Sequence, residues 1–315
     1  MVALGKGWPS SAGDDKPSPL VVMLYDCFTF YNELDLLEVR LHEHNAAVDR
    51  FVLVEARQTF QGAPKDLVFE KNKQRFAPFL DKIIHVIIDF PEHIALNYYK
   101  NSNAAWNREF FQRDAMAQGL AAAQPNDLIM VSDVDEIVRS DVLLQACAMH
   151  RRSQITFFEM PLFQFCVDRP TTYRHDQISD YLWIGPRMIA FSHFTTAQHV
   201  RMARAFQFDR WPTAWFTRFV TMVKNRRKRG FWAEPVIVRN AGWHFSSMGS
   251  WENYRKKIQS YCHTEFLDDA KFNSEEAFQE LGYAQTVDYP FEDLPSFIRK
   301  NPERFIFFGA EHVAV

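Results

Sequence analysis

Four short apolar runs in the first part of the chain restrict its fold more than any other sequence feature. They are residues 20–25 (LVVMLY), 51–54 (FVLV), 83–88 (IIHVII) and 127–131 (DLIMV). Each is too short for a packed helix and too continuous for a strand with one wet face, so each reads as a buried strand. Helical patterns fill the gaps. Leu34, Leu37 and Leu41 fall on one helical face, with Asn32 placed to cap it and Asp35 three residues on. Residues 103–120 read as a long helix, and Pro125-Asn126 marks a turn. Strands alternating with helices predict an α/β fold, a mostly parallel central sheet flanked by helices. Such sheets bind ligands beyond the carboxyl ends of their strands. Asp26, Glu55, Asp89 and Asp133 lie at or just past the predicted strand ends, placing four acidic groups on one rim.

The second half is less regular. Residues 154–167 are strongly aromatic and read as two strands or a hairpin. A further strand is expected at 183–188, helices at 195–203 and 211–224, and a strand at 235–238 leading into Gly242-Trp243-His244-Phe245-Ser246. Residues 251–261 read as a helix, and no domain break precedes the tail. Residues 1–19, rich in Gly, Ser, Pro and Asp, are expected to be a flexible leader, with residues 20–315 forming a single domain.

Composition narrows the class. With 47% hydrophobic residues, including 30 phenylalanines, the chain has the apolar material for a large core and is not a disordered one. A formal charge of −3 supplies no global field for nucleic acid. The basic run Lys224-Asn225-Arg226-Arg227-Lys228-Arg229 departs locally from that balance. It reads as a solvated loop or helix end, or as a contact for an anionic acceptor or a membrane surface. Cys27, Cys147, Cys166 and Cys262 form no CxxC pair, so neither a disulfide framework nor a zinc site is expected. No run approaches the ~20 apolar residues of a membrane span, and the start lacks an apolar signal core. A chain complete as it stands would be expected in the cytoplasm; a trimmed ectodomain would belong to the Golgi lumen.

The chemistry concentrates in Ser132-Asp133-Val134-Asp135-Glu136, directly after a buried strand. Two aspartates one residue apart can aim at one hard cation, Mn2+ or Mg2+, which keeps positions open for substrate phosphates. A diphosphate bridging to that ion has its leaving charge neutralised as a sugar–phosphate bond breaks. An EF-hand is excluded because Ile137, Val138 and Arg139 follow where further ligands are required. P-loop and GxGxxG patterns are absent, which argues against an ordinary kinase or dinucleotide enzyme.

A set of ordered motifs sharpens this reading. Residues 25–38 (YDCFTFYNELDLLE) come first, then Val54-Glu55-Ala56 with Thr59-Phe60 and Gly62, and Arg108-Glu109 with Gln112-Arg113-Asp114. The Asp133 cluster, the Gly242 to Ser246 motif, Lys257-Ile258, Ser260 and His263-Thr264-Glu265 complete the series. In this order they resemble the family 17 glycosyltransferases, enzymes related to β-1,4-mannosyl-glycoprotein 4-β-N-acetylglucosaminyltransferase, over roughly residues 21–308.

That resemblance implies a GT-A type fold, a UDP-sugar donor, Mn2+ or Mg2+, and inversion at the anomeric carbon. It divides the domain into a nucleotide-sugar half (20–140) and an acceptor half (141–315). Asp133 and Asp135 are the expected metal ligands, and by analogy with GT-A enzymes His244 completes the set. Asp26, Asn32, Glu33 and Glu55 are expected on the donor rim, with Arg113 and Asp133 toward the diphosphate. Inversion requires a base for the acceptor hydroxyl; Glu265 is the first candidate, with Asp180 and Asp209 as rivals. Trp183, Trp211, Trp215 and Trp243 are candidate acceptor platforms, or core. Residues 205–234 look like an insertion relative to compact family members, and Arg239 stands where those members often carry glutamate. Both departures bear on the acceptor. The reading is then an inverting transfer, most simply of GlcNAc from UDP-GlcNAc to a glycan hydroxyl. The alternatives are an inactive carbohydrate- or nucleotide-sugar-binding relative and a metal-dependent UDP-sugar phosphohydrolase.

Overall fold

The computed structural model describes residues 22–94, 103–170, 173–174, 177–178, 182–205, 214–260, 262, 274–276 and 288–307. In chain order the strands and helices are β1 (Leu24–Phe30), α1 (Leu34–His44), β2 (Arg50–Ala56), α2 (Val68–Lys71), β3 (Ile83–Ile88), α3 (Ala104–Asp114), β4 (Leu128–Asp133) and β5 (Glu136–Val138). Then come α4 (Ser140–Met149), β6 (Gln154–Gln164), β7 (Tyr173–Arg174), β8 (Gln177–Ile178), β9 (Leu182–Ala190), α5 (Ala197–Arg201) and α6 (Ala214–Arg229). The series closes with β10 (Glu234–Val238), β11 (Gly242–Ser246), α7 (Trp251–Ser260) and α8 (Ser296–Lys300).

The apolar runs become interior strands of a mixed, mostly parallel sheet in the order β3-β2-β1-β4-β9-β6-β11-β5, with β10 also beside β6. β1, β2, β3 and β4 are parallel to one another, whereas β9 runs antiparallel to both β4 and β6. This is the α/β arrangement expected, a curled sheet flanked by helices and compatible with a GT-A type fold. The sheet draws strands from both sides of residue 140, through the β4–β9 pairing. The chain leaves β1 toward β2 and β3 on one side and returns as β4 on the other. β1 and β4 therefore flank a topological switch point, where such sheets bind ligands.

Alternation along each strand sorts side chains between two cores. Leu24, Phe28 and Phe30 of β1 pack with Leu37 and Leu41 of α1 and with Leu143 of α4 on one face. Tyr25 and Cys27, with Val52, Val54, Ile129 and Val131, pack against Met116 and Leu120 on the other. Each fully buried Leu or Phe contributes roughly 1.5–3 kcal/mol. A third cluster joins Trp243 and Phe245 of β11 to Leu294 and Ile298.

Several local expectations are corrected. β1 begins later than the apolar run and continues to Phe30, so Asp26 lies within the strand rather than at its end. Glu33, not Asn32, occupies the N-cap position of α1, and its carboxylate accepts Tyr31 N–H and Asn32 N–H (3.1 and 3.0 Å). Residues 154–164 form one long strand with an irregularity between Phe157 and Glu159, not a hairpin. The basic run belongs to α6, which continues to Arg229. The long helix begins as expected, with Asn103 Oδ1 accepting Trp106 N–H (3.0 Å), and tightens into a 3₁₀ turn after Asp114. All four cysteines are free. Residues 1–19, and with them the leader expectation, lie outside the described residues.

Candidate active site

A cavity of about 510 Å3 opens over the carboxyl ends of β1 and β4. β1 supplies Thr29 and Phe30, followed by Tyr31; the turn after β4 supplies Asp133, Val134 and Asp135. Arg113, Arg187, Arg201, His244 and Lys257 enter from α3, β9, α5, β11 and α7. Thr29 and Asp133 are register partners, so the parallel pairing itself sets the first aspartate at the rim.

The turn is held from below. Arg40 of α1 is fully buried and donates to Asp133 O (3.1 Å), Glu136 O (2.7 Å) and Ser132 Oγ (2.6 Å). The same guanidinium pairs with both oxygens of Asp26 (2.5 and 2.9 Å). His44 Nδ1 donates to Asp26 Oδ2 (2.8 Å), and His44 Nε2 accepts Val138 N–H (3.0 Å). Burial alone would raise the Asp26 carboxyl, but Arg40 and then His44 hold it below the ordinary carboxylate value. Asp26 is thus not a donor ligand. It fixes the arginine that fixes the turn.

Above this anchor the carboxylates have different partners. Asp133 Oδ1 accepts from Arg113 (3.0 Å), and Oδ2 accepts from Arg201 (2.8 Å). Burial would raise Asp133, yet Arg201 and Arg113 together hold it well below the ordinary carboxylate range. Glu136 is fully buried and turned inward; it accepts Trp183 Nε1–H (2.5 Å), both Arg201 amino groups (2.6 and 2.7 Å) and Asp133 N–H (3.1 Å). Asp135 is held more loosely. His244 Nε2 and Lys257 Nζ each stand 3.5 Å from one of its oxygens. Burial raises this carboxyl as well, and His244 and then Lys257 lower it below the ordinary value.

His244 arrives through β11, which pairs antiparallel with β5 and parallel with β6. Gly242 permits this approach: a Cβ there would lie 2.0 Å from Ile137 O. Trp243 is core, with its Nε1–H donating to Asp293 O (3.1 Å) and Arg139 stacked on its ring at 4.3 Å. Trp183 does line the cavity, its ring 4.9 Å from that of His244. Trp215 does not line it, and Trp211 lies outside the described residues.

Of the donor-rim candidates, Glu33, Arg113 and Asp133 reach the cavity. Asn32 is exposed and does not line it. Glu55 is buried beneath the rim, where Oε1 accepts Val68 and Phe69 N–H (2.5 and 3.3 Å) at the start of α2 and pairs with Lys65 (3.1 Å). Asp89 follows β3 but is exposed and pairs with Arg57 (3.7 Å). Glu265, Asp180 and Asp209 lie outside the described residues.

Four residues of the site were not anticipated: Arg40, Arg187, Arg201 and the role of Lys257. Arg40 sits on the face of α1 that carries Leu37 and Leu41, and a cation in a buried stripe asks for an internal partner. Arg187 lies in an otherwise apolar strand. It donates to Gly185 O (2.5 Å) and stacks on Phe157 (5.6 Å), while its Nε has no partner among the described residues. No carboxylate of the described residues pairs with it, and burial together with the charge of Arg201 lowers its pKa to about 9.

Among the described residues no group of three or more His, Cys, Asp or Glu side chains is disposed to hold a metal ion. The expected trio does not converge, because both Asp133 oxygens are turned to arginines. Asp135 and His244 do face each other, and this pair fits a hard divalent cation whose other positions go to phosphate and water. His244 Nδ1 is buried without a partner among the described residues.

A mostly parallel sheet, a switch-point cavity and a rim of carboxylates and guanidiniums together define a nucleotide-binding type of α/β architecture. Residues 10–185 match the family model "Glycosyltransferase family 17", more than half of the chain, and the chain belongs to that family. It is 32% identical over 122 residues to the human and rat β-1,4-mannosyl-glycoprotein 4-β-N-acetylglucosaminyltransferases. That stretch is 36% of this chain and spans only 21% of the relatives' length. A solved inositol-1-phosphate CTP transferase from T. maritima aligns over 84% of this chain and 99% of its own, at 11% identity and a TM-score of 0.35. Likeness at that level bears on neither fold nor function.

Proposed function

We propose that this glycosyltransferase moves GlcNAc from UDP-GlcNAc to a glycan hydroxyl, with inversion and with the help of Mn2+ or Mg2+. The observation that carries the reading is the meeting of Asp135 and His244 (3.5 Å) in the cavity at the β1–β4 switch point, beside Arg187, Arg201 and Lys257. Asp135 and His244 are the residues that would hold the cation. When bound, it would neutralise charge on the departing diphosphate.

The chain's own groups supply the rest. Lys257, Arg187 and Arg201 present positive charge to the donor's diphosphate, which favours the leaving group without any reorganisation. Asp133, clamped by Arg113 and Arg201, orients those guanidiniums rather than ligating. Trp183 offers a flat apolar wall suited to a sugar ring. A base must accept the acceptor proton as the bond to the anomeric carbon forms; Glu265, Asp180 and Asp209 are its sequence candidates.

Calorimetric titration of UDP and UDP-GlcNAc, each with and without Mn2+, tests the donor site. Manganese-dependent binding of both supports it. No binding by the folded protein rules out this donor. UDP-GlcNAc cleavage that needs no acceptor, or binding without turnover on any glycan, would replace transfer by phosphohydrolysis or by an inactive binding relative.

A further inference from the structure

Helix α6 is inside out. Its buried positions are polar, Thr221 and Asn225, and Asn225 Oδ1 accepts Arg204 N–H (3.2 Å) where the helix meets the body. Its outward positions are aromatic: Trp215 is 69% exposed, Phe216 55% and Phe219 50%. Trp232 extends the patch from the chain beyond, 6.1 Å from Phe219 and edge-on to it. Ordinary surface helices do the reverse, and apolar side chains gathered this way on a surface mark a contact.

Charge identifies the partner. Going along α6 at 100° per residue, Arg226 and Arg227 fall on the same outward face as Trp215, Phe216 and Phe219. Lys224 lies beside that face and Lys228 further round the helix, and both are exposed. At the aromatic end, Arg151 and Arg218 lie close by, and both pair with Glu234 (3.0 and 3.4 Å). Among the described residues, the one carboxylate lining the groove beside these aromatics is therefore already shared between two arginines. A helix of 16 residues is about 24 Å long. It presents Trp and Phe with Arg and Lys beside them, the composition of helices that lie in a membrane interface. Phe216, Phe219 and the partly buried Met222 and Val223 gain from an apolar phase, whereas nucleic acid would offer only base faces to the aromatic rings.

We propose that α6 is a peripheral docking surface for anionic phospholipid bilayers, with Trp215, Phe216, Phe219 and Trp232 in the acyl boundary and the basic run on the headgroups. This needs no membrane-spanning segment, and among the described residues no helix is long and apolar enough to be one. It stands independently of the sugar donor.

The test is cosedimentation of the full chain with vesicles of phosphatidylcholine alone, and with vesicles in which about one-third is phosphatidylserine. The expected result is binding to the anionic vesicles, weakened by salt, with a blue shift of tryptophan emission. Replacing Trp215→Ser, Phe216→Ser and Phe219→Ser together should reduce the bound fraction about tenfold or more. Arg226→Glu with Arg227→Glu should do the same through charge alone, and both variants should titrate UDP as the parent does. The proposal falls if the parent ignores anionic vesicles at low salt, or if neither set of substitutions changes binding. It falls equally if the aromatic substitutions dissolve a dimer that never bound lipid, or if single-stranded RNA displaces the vesicles.

Discussion

Asp135 and Arg187 meet the same cavity from opposite sides of the charge balance, and each makes a separate demand on a ligand. Asp135 has only loose partners, so Asp135→Ala is expected to leave the circular dichroism unchanged. It should remove the manganese-dependent part of UDP binding, by about tenfold to a hundredfold in calorimetry. Arg187 is a guanidinium with no carboxylate partner among the described residues, a costly arrangement for the folded protein by itself. Arg187→Met should therefore raise or preserve the midpoint of thermal unfolding while weakening UDP binding. A fall in stability without loss of affinity would mark the arginine as purely structural.

Asp26 demands the reverse. Its carboxyl is depressed in the folded state, so the ionised form adds stability above the ordinary value of 3.8, and that contribution fades as pH falls through and below it. Asp26→Asn leaves the buried Arg40 without its counter-charge and is expected to cost about 3–5 kcal/mol in urea unfolding at neutral pH. The loss should shrink toward acid pH. At this scale the Asp133-Val134-Asp135 turn was legible in sequence, as a polar cluster directly after an apolar strand that the ordered motifs around it set apart from the aspartate pairs common in loops. Asp26 was misplaced at a strand end, because β1 runs on for four residues past it to Phe30. Leu24, Phe28 and Phe30 share its face, so period-two alternation puts it beneath α1. Arg201 was not legible, since its partner Asp133 lies 68 residues away and only the folded sheet brings them together.

Elements carry residues into the site that cannot arrive alone. β11 delivers His244 because Gly242 lets its backbone pass against Ile137. Gly242→Ala should push β11 off β5 and cost about 1–3 kcal/mol by overpacking. It should also lower manganese-dependent UDP binding, although the substituted residue never faces the cavity. The sequence shows Gly-Trp-His as one motif and points to His244 for its chemistry, but does not separate that role from those of its two neighbours. Trp243 belongs to the core, and glycine and histidine do the positioning. α6 was read as ending at the basic run because charged residues resemble a terminus. The run stays helical because its outward side chains are solvated and the inward contacts of Thr221 and Asn225 suffice.

At the scale of the molecule, β9 joins the parallel block of β1 to β4 to the strands that follow. All its pairings to β4, from Arg187 to Ala190, lie beyond residue 185, where the family match ends. A chain stopped at residue 185 would expose the whole edge of β4, a template for intermolecular pairing. Such a truncated chain is expected to aggregate and to show no cooperative thermal transition, which differential scanning calorimetry would detect. What sequence likeness recognises is here smaller than what folds. Mostly parallel topology was legible from the apolar runs. The reversed strand was not, since neither its pattern nor its length records direction. That reversal has a consequence for specificity. The chain enters β9 at its cavity end, where Trp183 and Ile184 stand, whereas β1 and β4 leave the sheet there. Lengthening or shortening the stretch that leads into β9 would therefore be felt first at the Trp183 wall of the cavity, and last by the core. An enzyme built this way can change customers by editing the approach to one strand, while the machinery beneath is left alone.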